Sequence, residues 1–156
     1  MQSPAGYHFA QLNVGRVHHP LPHPAMAEFT TMLEVVNRMA ELSAGFVWRL
    51  KDDNGGSSSY VEVFEDPLQL VNMSVWTGPD EFKHFVYKSG HGAYLRRRTE
   101  WFERPPEVFA VCWWIPAGTV PDVHDAVRRL NYLRANGPSD DGFGLHDLRD
   151  PRPAQD

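Results

Sequence analysis

The sequence predicts an α+β fold, a ferredoxin-like four-stranded antiparallel sheet with helices on one face. Three observations lead there. Apolar residues recur with a helical period in some segments and alternate in others, and the segments follow the order β, α, β, β, α, β with one helix appended, which is the split βαβ arrangement. The chain has 156 residues, enough for one domain with a true core. No internal repeat interrupts the order. The expected core runs from about residue 7 to 137, followed by a tail over 138–156.

The first strand is expected over 7–17. The stretch HHPLPHP ends it, because closely spaced prolines continue neither a strand nor a helix. Over 25–42 the residues Met26, Phe29, Met32, Leu33, Val36, Met39 and Ala40 form one apolar stripe of an amphipathic helix. A second strand over 45–51 continues at 60–65 across the loop DDNGGSSS, whose Asn-Gly-Gly centre signals a turn. A third strand spans 68–76. TGPDEF then opens a helix over 80–88, broken near Ser89-Gly90 and resumed to Phe102. The fourth strand, 108–115, is apolar throughout, as suits a strand covered on both faces. The last helix, 123–135, stops at Asn136-Gly137. The tail, rich in Asp, Gly and Pro, reads as a surface arm or a disordered segment. One sheet face would lack a cover, so a second copy is expected on it, giving a homodimer.

Composition removes several function classes. A formal net charge of −5 argues against general nucleic-acid binding, which requires many cations against phosphates. No window approaches the ~18 apolar residues of a membrane span, and MQSPAGYH lacks a basic region followed by an apolar run, so no membrane partner and a cytoplasmic location are expected. The single cysteine, Cys112, allows neither an internal disulfide nor a thiolate metal cage, and in VFAVCWWI it reads as a small buried hydrophobe. His18, His19 and His23 lie in a proline-rich loop without a carboxylate at ligand spacing, so no metal site is expected there. Nucleotide and zinc signatures such as GxGxxG, the P-loop and HExxH are absent from the sequence.

Polar residues inside the strands carry the site. By alternation Gln11 and Asn13 share one face of the first strand, and Asn72, Ser74 and Trp76 one face of the third. Buried amides face each other, water or a ligand, because an unpaired one costs about 1–3 kcal/mol. Both readings stay open: mutual satisfaction, or a small-molecule pocket. On the segment SGHGAYLRRRTEWF, a helical period places His91, Tyr94, Leu95, Arg98, Trp101 and Phe102 on one side and pairs Arg96 with Glu100 on the other. Arg98 is then a cation amid aromatics. It either pairs with an acid and stacks on Trp101, or it enters the pocket with His91, where arginine would orient an oxyanion and histidine exchange a proton.

The stretches AQLNVGR, GFVWRLK, LVNMSVW, FVYKSGHGAYLRRRTEWF and WWIPAG together resemble the bacterial proteins grouped as domain of unknown function 3291, within the dimeric α+β barrel superfamily. More distantly they are similar to the antibiotic-biosynthesis and haem-degrading monooxygenases of that superfamily. The resemblance implies monooxygenase-like or proton-transfer chemistry on an aromatic or polycyclic metabolite, without a cofactor. The catalytic residues expected are His91, Arg98 and Asn13. Substrate contacts are expected from Gln11, Trp48, Asn72, Ser74, Trp76, Phe85, Tyr94 and Trp101. In the haem-degrading relatives an asparagine and an iron-binding histidine match Asn13 and His91, but Phe85 stands where those enzymes carry tryptophan. The alternatives are a haem or hydrophobic-ligand carrier with His91 as axial ligand, and a dimerising module without chemistry.

Overall fold

The computed structural model describes residues 4–151. Strand β1 (Tyr7–Arg16) leads through a loop to helix α1 (Ala27–Glu41), then come β2 (Phe46–Arg49) and β3 (Gln69–Trp76). Helix α2 (Pro79–Lys83), a π-helical turn His84–Lys88 and helix α3 (His91–Arg96) cross back over the sheet, and β4 (Ala110–Pro116) and α4 (Val123–Asn136) complete the chain. The strands lie in the order β2-β3-β1-β4, all antiparallel, as the ferredoxin-like reading requires.

Register sorts the sheet into two faces. Ala10 pairs with Val75, Leu12 with Met73 and Val14 with Val71, while β4 adds Val111, Trp113 and Ile115 to the same side. All of these are buried, and α4 lies on them through Ala126, Leu130 and Leu133. Asp122 caps α4, its carboxylate accepting from the backbone N–H of Asp125 at 2.9 Å, and Gly137 closes it at φ 79°. The face that the sequence left open for a second copy is therefore covered by the chain's own last helix, and the argument for a homodimer loses that ground.

On the other face Gln11 lies opposite Ser74, and Asn13 opposite Asn72. Helix α1 covers the two ends of this row. Phe29 packs with Leu70 and Trp101 at one end, and Val36, Met39 and Ala40 pack with Trp76 and Phe85 at the other. Between Leu70, 7% exposed, and Ser74, also 7%, the side chain of Asn72 is exposed, so the sheet is open at its polar middle.

Two local expectations are corrected. Residues 60–65 form no strand. The loop closes with a single bridge between Lys51 and Ser57, and Val63 and Phe64 tuck under the apolar face instead. The tail is an ordered arm over its described part. Phe143 exchanges both backbone hydrogen bonds with Cys112, at 2.7 and 2.9 Å, and its ring is fully buried against Phe9. Arg129 of α4 bonds Asp125 at 2.8 Å and the Asp141 carbonyl at 2.6 Å, tying the arm to the last helix. The arm thus covers the β4 edge, which would otherwise present unpaired backbone groups. It also seals Cys112, whose thiol burial pushes up to about 12, an inert packing residue as its sequence context suggests.

If the arm is part of the core, Phe143→Ala should lower the unfolding free energy by about 3 kcal/mol or more, the usual cost of deleting a buried ring. Urea denaturation measures this directly, and a loss below about 1 kcal/mol would mean that the arm is ornamental.

Candidate functional site

Three carboxamides and a hydroxyl meet at the centre of the polar face. The Nε2 of Gln11 donates to Asn72 Oδ1 at 2.9 Å and to Ser74 Oγ at 2.8 Å. The Nδ2 of Asn13 donates to Gln11 Oε1 at 2.9 Å and to Asn72 Oδ1 at 3.2 Å. Trp76 adds its indole N–H to Ser74 Oγ at 2.9 Å. Gln11 is 2% exposed, Asn13 half-buried and Asn72 exposed, so the network runs from the core outward to an open end. The mutual satisfaction considered from the sequence is real, but only the inner part of the cluster is closed.

An aromatic ladder links this cluster to the histidine. Trp76 stacks on Phe85 with centroids 5.1 Å apart, and Phe85 lies 4.9 Å from the His91 ring. His91 does not touch the amides; Phe85 and Trp76 make the connection. Its Nδ1 is 3.2 Å from the carbonyl oxygen of Val86, which can only accept, so Nδ1 carries the proton and Nε2 keeps its lone pair. No hydrogen-bond partner meets Nε2 among the described residues. No fully buried side-chain nitrogen or oxygen among them lacks one, so Nε2 keeps some accessible surface and its lone pair is unengaged. Burial lowers the imidazole pKa below its ordinary value, with the Val86 carbonyl opposing.

The backbone explains why the ring sits there. The π-helical turn leaves carbonyls that an α-helix would have engaged, and such turns recur at functional sites. Ser89 reaches back to the Phe85 carbonyl, and its Oγ also accepts from the His91 N–H at 3.2 Å. Gly92 is buried where a Cβ would stand 3.0 Å from the Tyr87 carbonyl oxygen, so a larger residue there would push α3 a few tenths of an ångström off the turn. Nothing in the residue types signals a π turn, and the Val86 carbonyl was accordingly invisible to sequence reasoning.

Several expected site residues lie elsewhere. Helix α3 ends at Arg96 and tightens into a 3-10 turn over Arg98–Glu100, so the 100° period fails where the arginines stand. Arg98 is exposed and its Nη1 donates to the Leu95 carbonyl at 3.0 Å, turned back on its own helix and not toward the sheet. Arg97 takes the pairing expected of its neighbour. It lies 4.9 Å over the Trp101 ring and bonds Glu100 at 2.7 Å and Glu28 at 2.8 Å, and these two carboxylates raise its pKa. The Arg96–Glu100 pair is replaced by Arg97–Glu100. Trp101, 3% exposed, is core beneath α1 and has no surface left for a ligand. Trp48 packs on the opposite, apolar face, because a bulge between Phe46 and Trp48 reverses the alternation that would have put both beside Trp76. Tyr94 lines a cavity of about 420 Å³ between α1 and α3 with Arg97, Met32 and Val35. Gln11, Ser74, Trp76 and Phe85 are buried, supporting the site from behind.

Haem needs a ligating nitrogen and an apolar slot for the macrocycle. His91 supplies the first, with its second nitrogen anchored as in ligating histidines generally. The 420 Å³ cavity includes no part of His91 in its lining, so it is not a slot that would set a macrocycle against the imidazole.

The family model described as "Domain of unknown function (DUF3291)" matches residues 8–156. The chain belongs to this family. No curated protein matches this DUF3291 chain in sequence. Among solved structures it is similar to SnoaB, a cofactor-independent oxygenase from Streptomyces nogalater, at 17% identity over 74% of this chain and 98% of that one, with a TM-score of 0.48. A protein of unknown function from Nitrosomonas europaea matches at 11% identity over 76% of this chain and 99% of that one, with a TM-score of 0.47. Similarity at this level says nothing of the reaction. No helix among the described residues is long and apolar enough to cross a membrane.

The lowered pKa of His91 has a consequence for stability. In the unfolded chain the imidazole takes up its proton near the ordinary value of 6.5, whereas in the folded chain uptake waits for lower pH. The unfolded state then holds more protons through that window, so stability is complete above about pH 6.5 and is lost as pH falls toward the folded value. Urea denaturation at stepped pH should show the wild type losing stability more steeply than His91→Gln as the pH falls below about 6.5. Parallel curves would contradict the buried, neutral imidazole.

Proposed function

We propose that the chain is a small-molecule enzyme of the monooxygenase-like kind that needs no cofactor, with a planar, polycyclic carbonyl compound bound over the open amide end and reaching His91. The observation that carries this reading is the fixed tautomer of His91. A neutral imidazole with Nδ1–H held by Val86 and an open Nε2 is a base ready at neutral pH, and burial keeps it unprotonated there.

The chemistry follows from the groups present. Nε2 removes a proton from carbon adjacent to, or conjugated with, the substrate carbonyl. The negative charge that develops on the carbonyl oxygen is met by carboxamide N–H from Asn72 or Asn13, donors already positioned by the sheet. The resulting enolate is electron-rich enough to reduce dioxygen: carbon and oxygen form a bond, the O=O bond becomes a peroxide, and the imidazolium returns its proton to the terminal oxygen. Arg98 has no part in this, since its guanidinium is engaged on its own turn.

Anthrone, whose methylene is acidified by a conjugated carbonyl, is a suitable probe. Deuterium uptake at that methylene should be accelerated by the wild type and fall about 100-fold in His91→Gln, the usual contribution of a general base. Exchange by the variant at the wild-type rate, with circular dichroism confirming the fold, would remove the base from His91.

A further inference from the structure

The amide cluster has a fixed hydrogen-bond count, and the count leaves something over. A carboxamide offers two N–H donors and two acceptor lone pairs. Both N–H groups of Gln11 are engaged, on Asn72 and Ser74, and both of Asn13, on Gln11 and Asn72. The Asn72 oxygen accepts twice, so its lone pairs are filled. At the open end there remain the Nδ2H2 of Asn72 and the Oδ1 of Asn13, one donor group and one acceptor on residues directly opposite each other across β1 and β3.

Turning all three amides over gives the mirror arrangement. Ser74 then donates to the Gln11 oxygen while still accepting from the Trp76 indole, Gln11 donates one N–H to Asn13 and keeps the other without a partner, and Asn72 donates to both Gln11 and Asn13. What remains at the open end is the Nδ2H2 of Asn13 and the Oδ1 of Asn72. The donor and acceptor have exchanged places, and the pair is unchanged. A mixed orientation sets N–H against N–H or oxygen against oxygen inside the cluster, at the cost of unmade bonds around the buried Gln11.

We propose that Asn13 and Asn72 form a recognition edge for a planar ligand that carries a carbonyl and a neighbouring N–H or O–H on one side, a lactam or a hydroxy-ketone. Such an edge meets the donor of one asparagine with its carbonyl and the acceptor of the other with its N–H or O–H. Concerted reversal of the three amides lets the edge bind in either order, so both tautomers of a hydroxy-ketone are accommodated. This specificity rests on the small-molecule site proposed above and narrows its substrate to carbonyls with an adjacent donor. It distinguishes ligands by a single hydrogen atom, which an apolar pocket does not do.

Isothermal titration with two matched pairs tests it. 2-Quinolone against N-methyl-2-quinolone examines the lactam, and 3-hydroxychromone against 3-methoxychromone the hydroxy-ketone. At least one parent should bind about tenfold or more tightly than its methylated partner, and which pair discriminates names the source of the donor. Asn72→Asp keeps the two accepting bonds to Gln11 and Asn13 but replaces the outward donor by an acceptor, so it should weaken both members of a pair about tenfold by costing the ligand carbonyl its donor, while the parent keeps its advantage through the Asn13 acceptor and the urea midpoint stays close to wild type. Equal affinity within both pairs, or no binding by any of the four, overturns the edge. Deuterium uptake by anthrone, measured on the same samples, separates the two failures: His91-dependent exchange without ligand discrimination removes the edge alone, and its absence as well removes the site.

Discussion

Everything in this fold that bears on chemistry depends on one buried carboxamide. Gln11 stands on an inner strand of the sheet, 2% exposed, where an amide without partners would cost about 1–3 kcal/mol. Its partners have to come from the same face of the neighbouring strand, and the register supplies them directly opposite and on the diagonal, in Ser74 and Asn72. Satisfying Gln11 thereby fixes the rotation of Asn72 and Asn13, whose remaining polar groups are held at the opening of the sheet. Polar side chains positioned by strands in this way are rigid, and rigid groups lose little entropy when a ligand arrives.

The two faces of the sheet divide the work. The apolar face is closed by α4, and the C-terminal arm seals the β4 edge, its Phe143 packing on Phe9 and Cys112 of the other face. The polar face is covered around its middle, by the two clusters under α1 and by the arm's cluster on Phe9 and Cys112. The crossover from α2 to α3 contributes the histidine through a π turn. A helix with a regular ladder would have engaged the Val86 carbonyl internally; here it orients an imidazole.

The element order, the helix stripe of α1 and both faces of β1 and β3 were legible in the sequence, because alternation and the 3.6-residue period are properties of single segments. Gln11, Asn13, Asn72 and Ser74 were found for the same reason: polar residues at inward positions of apolar strands stand out. His91 was found as the first residue of a stripe, although the group that fixes its tautomer, a backbone carbonyl in an irregular turn, leaves no mark in residue type. Failures came wherever local geometry departs from a fixed period. A 3-10 turn moved Arg98 outward and put Arg97 over Trp101. A bulge sent Trp48 to the opposite face. Of the two readings of the tail, an arm or a disordered segment, its described part is an arm, and its place in the core was missed because its composition is that of a loop, while three apolar residues in it, Phe143, Leu145 and Leu148, pack against Phe9 and Cys112. Those three were the available signal.

The most direct measurement is proton exchange at the side-chain amides, followed by 15N-resolved NMR on the ligand-free protein. The account requires the NH2 protons of Gln11 and of one asparagine, Asn13 or Asn72, to exchange slowly, and those of the other asparagine to exchange at the rate of a free carboxamide. Fast exchange at Gln11, or like behaviour of Asn13 and Asn72, would show that the network does not fix an outward donor beside an outward acceptor.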